Sequence, residues 1–165
     1  GEILTRIFSL TETIVCSSNY DIDKDIIVRE GLNILIDLVH KNIKLNIFQA
    51  VTTMLSQSEH VFAHGDFNEN NFRKGNIIID WDRCGFLPKG YDFAYYFLYR
   101  DPNYIYKTED LFLRANRIYN DNSQEFRRVF EILSIIFYLR KLKGDPKKID
   151  NEYIVQQLAK YIFKE

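Results

Sequence analysis

Residues 61–82 constrain the fold most, because they interrupt a chain whose apolar residues otherwise recur at helical spacing. Within this segment the polar stretch 64–71 follows a short apolar run, and residues 72–73 and 76–81 then have the composition of two strands. Residues 74–76, with a glycine at their centre, suit a tight turn between these strands. The sequence therefore predicts a mostly α chain with a small β hairpin, an α+β fold whose polar residues gather at the hairpin.

The residues before the hairpin are predicted to be helical. Apolar side chains recur every three or four residues over 3–15, 24–41 and 46–57, which predicts three helices. Gly31 lies inside the second of them, where a glycine costs up to about 1 kcal/mol relative to alanine.

The residues after the hairpin are predicted to begin with a loop over 85–90, which is rich in glycine and proline, and then to be helical. Asn122 and Glu125 fit a capping box that would begin one helix. The Gly-Asp-Pro sequence at 144–146 predicts the end of that helix, and a last helix is expected over 150–163.

The composition excludes several classes of protein. A chain with 46% hydrophobic and 27% charged residues is neither disordered nor collagen-like, and no apolar run approaches the roughly 20 residues that span a bilayer. The net charge of −1 is unlike that of a nucleic-acid binder. The chain has two cysteines, no CxxC pair and no signal-peptide pattern. We therefore expect a cytoplasmic location, no nucleic-acid partner and no membrane span.

Three oxygen-bearing side chains flank the predicted hairpin. Asp66 and Asn71 lie five residues apart in the polar stretch, and Asp80 ends the next apolar strand. A tight turn folds that strand back, so the three side chains can converge on one point. Two carboxylates and a carboxamide oxygen suit Mg²⁺, an ion on which phosphoryl transfer depends.

Three ordered motifs carry a resemblance to a known family. His64-Gly65-Asp66 with Asn71, then Ile79-Asp80-Trp81, then Asp92-Phe93-Ala94 follow the pattern H-G-D-x-x-x-x-N, an apolar strand ending in I-D-W, and D-[LIF]-A. This pattern resembles the aminoglycoside phosphotransferase and choline kinase family, a branch of the protein-kinase-like fold. The resemblance implies a small-molecule kinase that uses Mg²⁺ and transfers the γ-phosphate of ATP or GTP to a substrate hydroxyl.

The resemblance also implies a role for each matching residue. Asp66 would be the catalytic residue that accepts or orients the proton of the hydroxyl, and Asn71 and Asp80 would bind Mg²⁺ on the nucleotide phosphates. His64 and Asp92 would support the loop. Asp82 has no fixed role in the family pattern and is a candidate contact for the substrate or for the residues around the metal.

These roles imply a map of the chain as a single domain over residues 1–165. Helices over 1–60 would lead into the site, 61–82 would hold the catalytic loop and metal-binding hairpin, and 91–163 would form a helical, substrate-side subdomain.

The resemblance covers the C-terminal lobe only, about residues 24–163. Kinases of this fold have a smaller N-terminal lobe of strands, with a lysine and a glycine loop on the phosphates, whereas the residues before 60 predict helices and the chain holds no G-x-G. We therefore expect that the N-terminal lobe is missing and that the chain alone is inactive. The family's His-Pro-Gly before the asparagine is replaced here by Asn68, Glu69 and Asn70.

Two other functions are compatible with the same residues. A non-catalytic, pseudokinase-like binding module would explain the missing lobe. A two-metal hydrolase could use a cluster of histidines and aspartates, but strand spacing does not converge them well on one ion; its members would be His60, His64, Asp66, Asp80 and Asp82.

The acceptor is only weakly constrained by the sequence. Six tyrosines could surround a quaternary ammonium group, although core packing is the favoured interpretation; they are Tyr91, Tyr95, Tyr96, Tyr99, Tyr104 and Tyr106. The basic residues at 127–128 and 140–143 are interpreted as a solvated helix face. Residues 100–165 carry 13 basic and 10 acidic side chains, which favours a neutral or anionic acceptor over a polycationic aminoglycoside.

Overall fold

The structure is a computed structural model that describes residues 20–39 and 41–162. These residues form six α helices and four short strands: α1 (Ile26–Leu38), α2 (Lys41–Gln57), β1 (His60–Ala63), β2 (Phe72–Arg73), β3 (Ile77–Ile78), β4 (Gly85–Pro88), α3 (Tyr91–Arg100), α4 (Thr108–Tyr119), α5 (Gln124–Lys141) and α6 (Asn151–Ile162). Short 3-10 helices lie at Glu69–Asn71, Pro102–Lys107 and Pro146–Lys148. The α+β class is confirmed, and the helix predicted over 3–15 lies outside the described residues.

Helix α1 begins at Ile26 because Asp25 caps it. The Asp25 carboxylate accepts the Val28 N–H at 3.0 Å, and it also accepts the hydroxyls of Tyr20 at 2.7 Å and Tyr91 at 3.1 Å. The cap therefore also ties the start of α1 to the first residue of α3.

Helix α5 is the centre of the helical core. Residues 132–139 are all buried, so the helix is covered on every side over two turns. Helices α1 and α3 make most of this cover, and α4 and α2 add to it. Despite this apolar core, no helix within the described ranges has both the length and the apolar character needed to cross a membrane.

Gly31 is required where α1 approaches α5. A Cβ atom at this position would lie 2.2 Å from the Ile136 carbonyl oxygen and 2.7 Å from its Cγ2. The glycine that weakens the sequence pattern of α1 thus permits the close contact of the two helices.

The strands form two separate antiparallel pairs. Strand β1 pairs with β4, from His60 opposite Pro88 to Ala63 opposite Gly85. The loop predicted over 85–90 is therefore wrong for residues 85–88, which are a strand. The error arises because β4 pairs with a strand more than 20 residues away, so local sequence carries little sign of it.

The predicted hairpin is present as β2 paired with β3. Phe72 lies opposite Ile78, and the connecting turn has positive φ at Gly75 (84°) and Asn76 (61°), which these two residue types tolerate best. The second strand is shorter than the predicted 76–81 because Asp80 has a φ of 63°, which is incompatible with extended backbone.

Helix α5 is capped by a different residue from the predicted one. The Ser123 hydroxyl accepts the Phe126 N–H at 3.1 Å, whereas the Asn122 side chain accepts the amide of Asn116. The Asn122 capping box is therefore wrong by one residue. The end of α5 before residues 144–146 and a last helix within 150–163 are confirmed.

Candidate active site

The loop after β1 is held by a buried carboxylate on α3. The Asp92 carboxylate accepts the backbone N–H of His64 at 2.7 Å and of Gly65 at 2.9 Å, and its side chain is almost fully buried. Burial raises the pKa of Asp92 from its ordinary value of 3.8 to about 6, although the two amide donors oppose this effect. Asp92 thus fixes the backbone that immediately precedes Asp66.

Gly65 brings this loop against the segment that follows Asp80. It has a φ of 80°, and a Cβ atom there would lie 2.2 Å from the Arg83 carbonyl oxygen. A larger residue would therefore both strain the backbone and separate the two segments.

The His64 imidazole links the loop to the end of the hairpin. Its Nδ1 accepts the Asp66 N–H at 3.2 Å, and its Nε2 lies 2.9 Å from the Ile79 carbonyl oxygen. Because Nδ1 is an acceptor, the neutral ring carries its proton on Nε2 and donates it to Ile79. The ring is fully buried and contacts Trp81 at a centroid distance of 4.7 Å. His64 therefore fixes the residues on either side of Asp80 relative to Asp66.

The Asp66 carboxylate is half-buried and held through one of its two oxygens. Oδ1 accepts the Tyr95 hydroxyl at 2.9 Å and the Asn68 amide at 2.9 Å. Among the described residues no hydrogen bond reaches Oδ2. The side-chain Oδ1 of Asn68 also accepts the Asn70 N–H, so hydrogen bonds within the loop stabilise its conformation.

Asn71 joins the loop to the hairpin. Its side-chain amide donates to the Asp66 carbonyl oxygen at 2.8 Å, and its backbone carbonyl accepts the Ile79 N–H at 3.0 Å. No hydrogen bond to its Oδ1 is found among the described residues. Asp80, the next residue after Ile79, is exposed, and no hydrogen bond or ion pair reaches its carboxylate within the described part of the chain.

This donor set fits Mg²⁺. The Asn71 amide oxygen and the Asp80 carboxylate are hard oxygen donors on two segments that the Asn71–Ile79 hydrogen bond holds together. Two protein donors suffice for an ion that usually keeps waters and phosphate oxygens in its shell. The positive φ of Asp80 is a backbone conformation that aspartate rarely adopts and that is common at functional sites.

The cluster expected of a two-metal hydrolase does not form. His60 Nε2 lies 2.9 Å from the Leu55 carbonyl oxygen, and the two ring nitrogens of His64 are engaged by the Asp66 N–H and the Ile79 carbonyl oxygen. In the described ranges no group of three His, Cys, Asp or Glu side chains could hold a metal ion.

Asp82 lines a cavity of about 550 Å³ whose lining does not include Asp66, Asn71 or Asp80. This cavity runs between the segment before α1 and the segment from Asp82 to β4; its lining includes Asp21, Asp25, Gly65, Asp82, Arg83 and Leu87. It therefore adjoins the loop at Gly65, one residue before Asp66.

Three residues around Asp66 were not among those predicted for the site. Tyr95 is buried, as core packing predicts, and its hydroxyl also donates to Asp66. Asn68, which departs from the family pattern, donates to the same carboxylate through its side-chain amide. Arg140 is not part of a solvated face, since it lies 3.1 Å from Glu30 and 3.4 Å from the Tyr95 hydroxyl and is 17% exposed. The spacing of Asp92 and Tyr95, three residues apart on one helix, is the signal that could have indicated the Tyr95 contact.

The six tyrosines do not form one box. Tyr91, Tyr95 and Tyr96 are buried in the core, which confirms packing for these three. Tyr106, by contrast, is 51% exposed, and its hydroxyl donates to Asp150, the residue before α6.

A half-buried aspartate and two nearby oxygen donors on a braced loop are compatible with phosphoryl transfer, which depends on positioning and on charge neutralisation by a metal ion. The model of the phosphotransferase enzyme family matches residues 30–130, which is more than half of the chain. The chain therefore belongs to the phosphotransferase enzyme family, and the resemblance to aminoglycoside phosphotransferases and choline kinases is confirmed at the level of the family. No curated protein and no solved structure gives a significant match to the chain.

Proposed function

We propose that this chain carries the catalytic loop and metal-binding hairpin of a small-molecule kinase, which transfers the γ-phosphate of ATP or GTP to a substrate hydroxyl. Family membership supports phosphotransfer in general. The observation that carries the finer proposal is the Asp66 carboxylate, which is held through Oδ1 and leaves Oδ2 without a protein partner among the described residues.

Asp66 acts as the base in this proposal. The acceptor hydroxyl donates its proton toward Oδ2 while its oxygen forms a bond to the γ-phosphorus. The bond from the γ-phosphorus to the bridging oxygen breaks, and the nucleoside diphosphate leaves with that electron pair. Asp92 and His64 keep the loop in place, so that Asp66 meets the hydroxyl without a change of backbone.

Asn71 and Asp80 would hold Mg²⁺ through their side-chain oxygens. When bound, the ion neutralises charge on the nucleotide phosphates. The contribution of the chain is to keep the two donors together through the hydrogen bond between Asn71 and Ile79.

The cavity beside Gly65 and Asp82 is the proposed space for the acceptor. Its volume of about 550 Å³ suits a small molecule, and it adjoins the loop that holds Asp66. Asp82 would then contact the acceptor and not the metal.

A separate N-terminal lobe is proposed to complete the nucleotide site. The described residues before β1 form α1 and α2, whereas kinases of this fold cover the phosphates with a sheet that carries a lysine. The corresponding test compares this chain with a version extended upstream in the same assay.

The test of the function is Mg²⁺-dependent transfer from ATP and from GTP to a panel of sugars, amino alcohols and aminoglycosides. Asp66→Asn and Asp80→Asn should each lower turnover by at least about 100-fold while circular dichroism shows a retained fold. Asp110→Asn is the matched control, because Asp110 is an exposed aspartate in the first turn of α4.

Near-wild-type turnover in either site variant would refute the assignment. If both the chain and its extended version bind Mg-nucleotide but transfer no phosphate, the non-catalytic module replaces the kinase as the better account.

A further inference from the structure

We propose that Tyr95 is a positioning residue for Asp66, whose hydroxyl fixes the carboxylate so that Oδ2 faces the acceptor. This inference rests on the proposed kinase function and goes beyond it, because it assigns a role to a residue outside the motifs that the family pattern supplies.

The two donors to Asp66 come from different parts of the fold. Asn68 donates to Oδ1 from within the loop, and Tyr95 donates to the same oxygen from α3, each at 2.9 Å. The terminal torsion of an aspartate side chain is broad, so a single donor would leave the carboxylate free to rotate. Two donors on one oxygen fix both oxygens, and the second oxygen is then presented in a single direction.

The direction of the Tyr95 hydrogen bond is set by Arg140. The Arg140 Nη1 lies 3.4 Å from the Tyr95 hydroxyl oxygen, and a guanidinium can only donate. The phenol oxygen therefore serves as the acceptor on that side, and its single proton is directed to Asp66. Burial, followed by the hydrogen bond to Asp66, raises the pKa of Tyr95, which keeps this proton on the phenol.

The groups behind Tyr95 are themselves fixed. Its ring is 2% exposed and packs against Phe137 and Tyr99 at centroid distances of 5.2 and 5.1 Å. Arg140 is held in turn by Glu30, with 3.1 Å between Nε and Oε2. The Tyr95 hydroxyl is therefore a preorganised donor that keeps its place when the acceptor binds.

One face of α3 thus holds both the backbone of the loop and the side chain of Asp66. Asp92 holds the backbone N–H groups of His64 and Gly65, and Tyr95, three residues later, holds the side chain of Asp66. Substitution of Tyr95 should disturb the carboxylate without disturbing the backbone of the loop.

Tyr95→Phe is the test, with Tyr99→Phe as the matched control. Phenylalanine keeps the packed ring of Tyr95 and removes only its hydroxyl. Tyr99 is the neighbouring ring in the stack, and no hydrogen bond of its hydroxyl is found within the described ranges. The assay is the phosphotransfer reaction above, in the version of the chain that is active, with kcat, the acceptor KM and the Mg-ATP Kd measured separately.

Tyr95→Phe should lower kcat roughly 10- to 100-fold, the effect of losing a hydrogen bond to a charged group. The acceptor KM and the Mg-ATP Kd should stay within about twofold, and Tyr99→Phe should change none of the three. A merely structural role would change kcat, KM and thermal stability together, and equal kcat values for the two variants would overturn the inference.

A second readout does not depend on activity. The carboxyl ¹³C resonance of Asp66, assigned through its loss in Asp66→Asn, should shift in Tyr95→Phe and stay unchanged in Tyr99→Phe at a fixed pH. A shift without loss of kcat would leave the kinase function standing and refute the positioning role. If neither the chain nor its extended version transfers phosphate, the proposed function is refuted instead, and an unchanged resonance in Tyr95→Phe would refute the contact itself.

Discussion

The buried carboxyl of Asp92 should make the protein more stable as the pH falls from neutral to mildly acidic. Its pKa rises from 3.8 in the unfolded chain to about 6 in the folded one, and burial is the cause. Between these two values the folded chain binds a proton that the unfolded chain does not, so the contribution of this group to stability grows as the pH falls through 6. From pH 7.5 to pH 5.0 the gain amounts to about 1 kcal/mol.

Asp92→Asn removes this titration and should still fold. At neutral pH the neutral asparagine removes the roughly 3 kcal/mol by which burial of the charged carboxylate destabilises the fold. It also removes the acceptor of one backbone N–H, which destabilises the fold by about 1.5–3 kcal/mol, so the two effects nearly offset. The free energy of unfolding is measured in urea by circular dichroism at pH 7.5 and at pH 5.0, for the wild type and the variant. Groups that titrate in both proteins cancel, and the wild type should gain about 1 kcal/mol relative to the variant. An equal pH dependence, or a relative loss by the wild type, would refute the argument.

Four further substitutions test the packing, the cap and the cavity. Gly31→Ala should lower the free energy of unfolding by about 1–3 kcal/mol, because the new Cβ meets the Ile136 carbonyl oxygen. This loss should outweigh the better helix propensity of alanine. An unchanged urea midpoint would show that α1 and α5 can move apart without loss of stability. Ser123→Ala should lower the free energy of unfolding by about 1 kcal/mol, and Asn122→Ala should lower it by less than about 0.5 kcal/mol, because Ser123 caps α5. A larger effect of Asn122→Ala would show that Asn122 is the cap, as predicted from the sequence. Leu87→Trp should raise the acceptor KM without changing Mg-ATP affinity, and an unaltered KM would exclude this cavity as the acceptor space.

The elements that could be predicted from the sequence are those specified by neighbouring residues. Helical spacing located α1 to within three residues at either end and the end of α2, although α2 begins five residues before the predicted 46. The turn at 74–76 followed from its glycine and asparagine, which have positive φ in the structure. Strand β4 could not be predicted, because within the described residues it is formed by pairing with β1 across the intervening loop and hairpin.

Part of the candidate site could likewise be predicted from the sequence, and part could not. The motif pointed to Asp66, Asn71 and Asp80, and the fold joins the first two by a hydrogen bond and holds Asp80 next to them through Ile79. Their chemical roles stay predictions until the variants are assayed. The Arg140 contact could not be predicted, because it depends on how α5 packs against α3. For Tyr95, the spacing from Asp92 on one helix is the one sign in the sequence of its contact with Asp66.

Trp81 gives the molecule a built-in optical reporter of this site. It is the single tryptophan of the chain, follows Asp80 directly, and lies between His64 and Phe62 with 37% of its surface exposed. Its emission therefore reports the solvent around the hairpin, whereas the far-ultraviolet circular dichroism is dominated by the helices around α5. If both signals lose their folded values at the same urea concentration, hairpin and helices unfold as one cooperative unit. An earlier change in emission identifies the hairpin as a unit that opens alone, with the helical core still folded behind it.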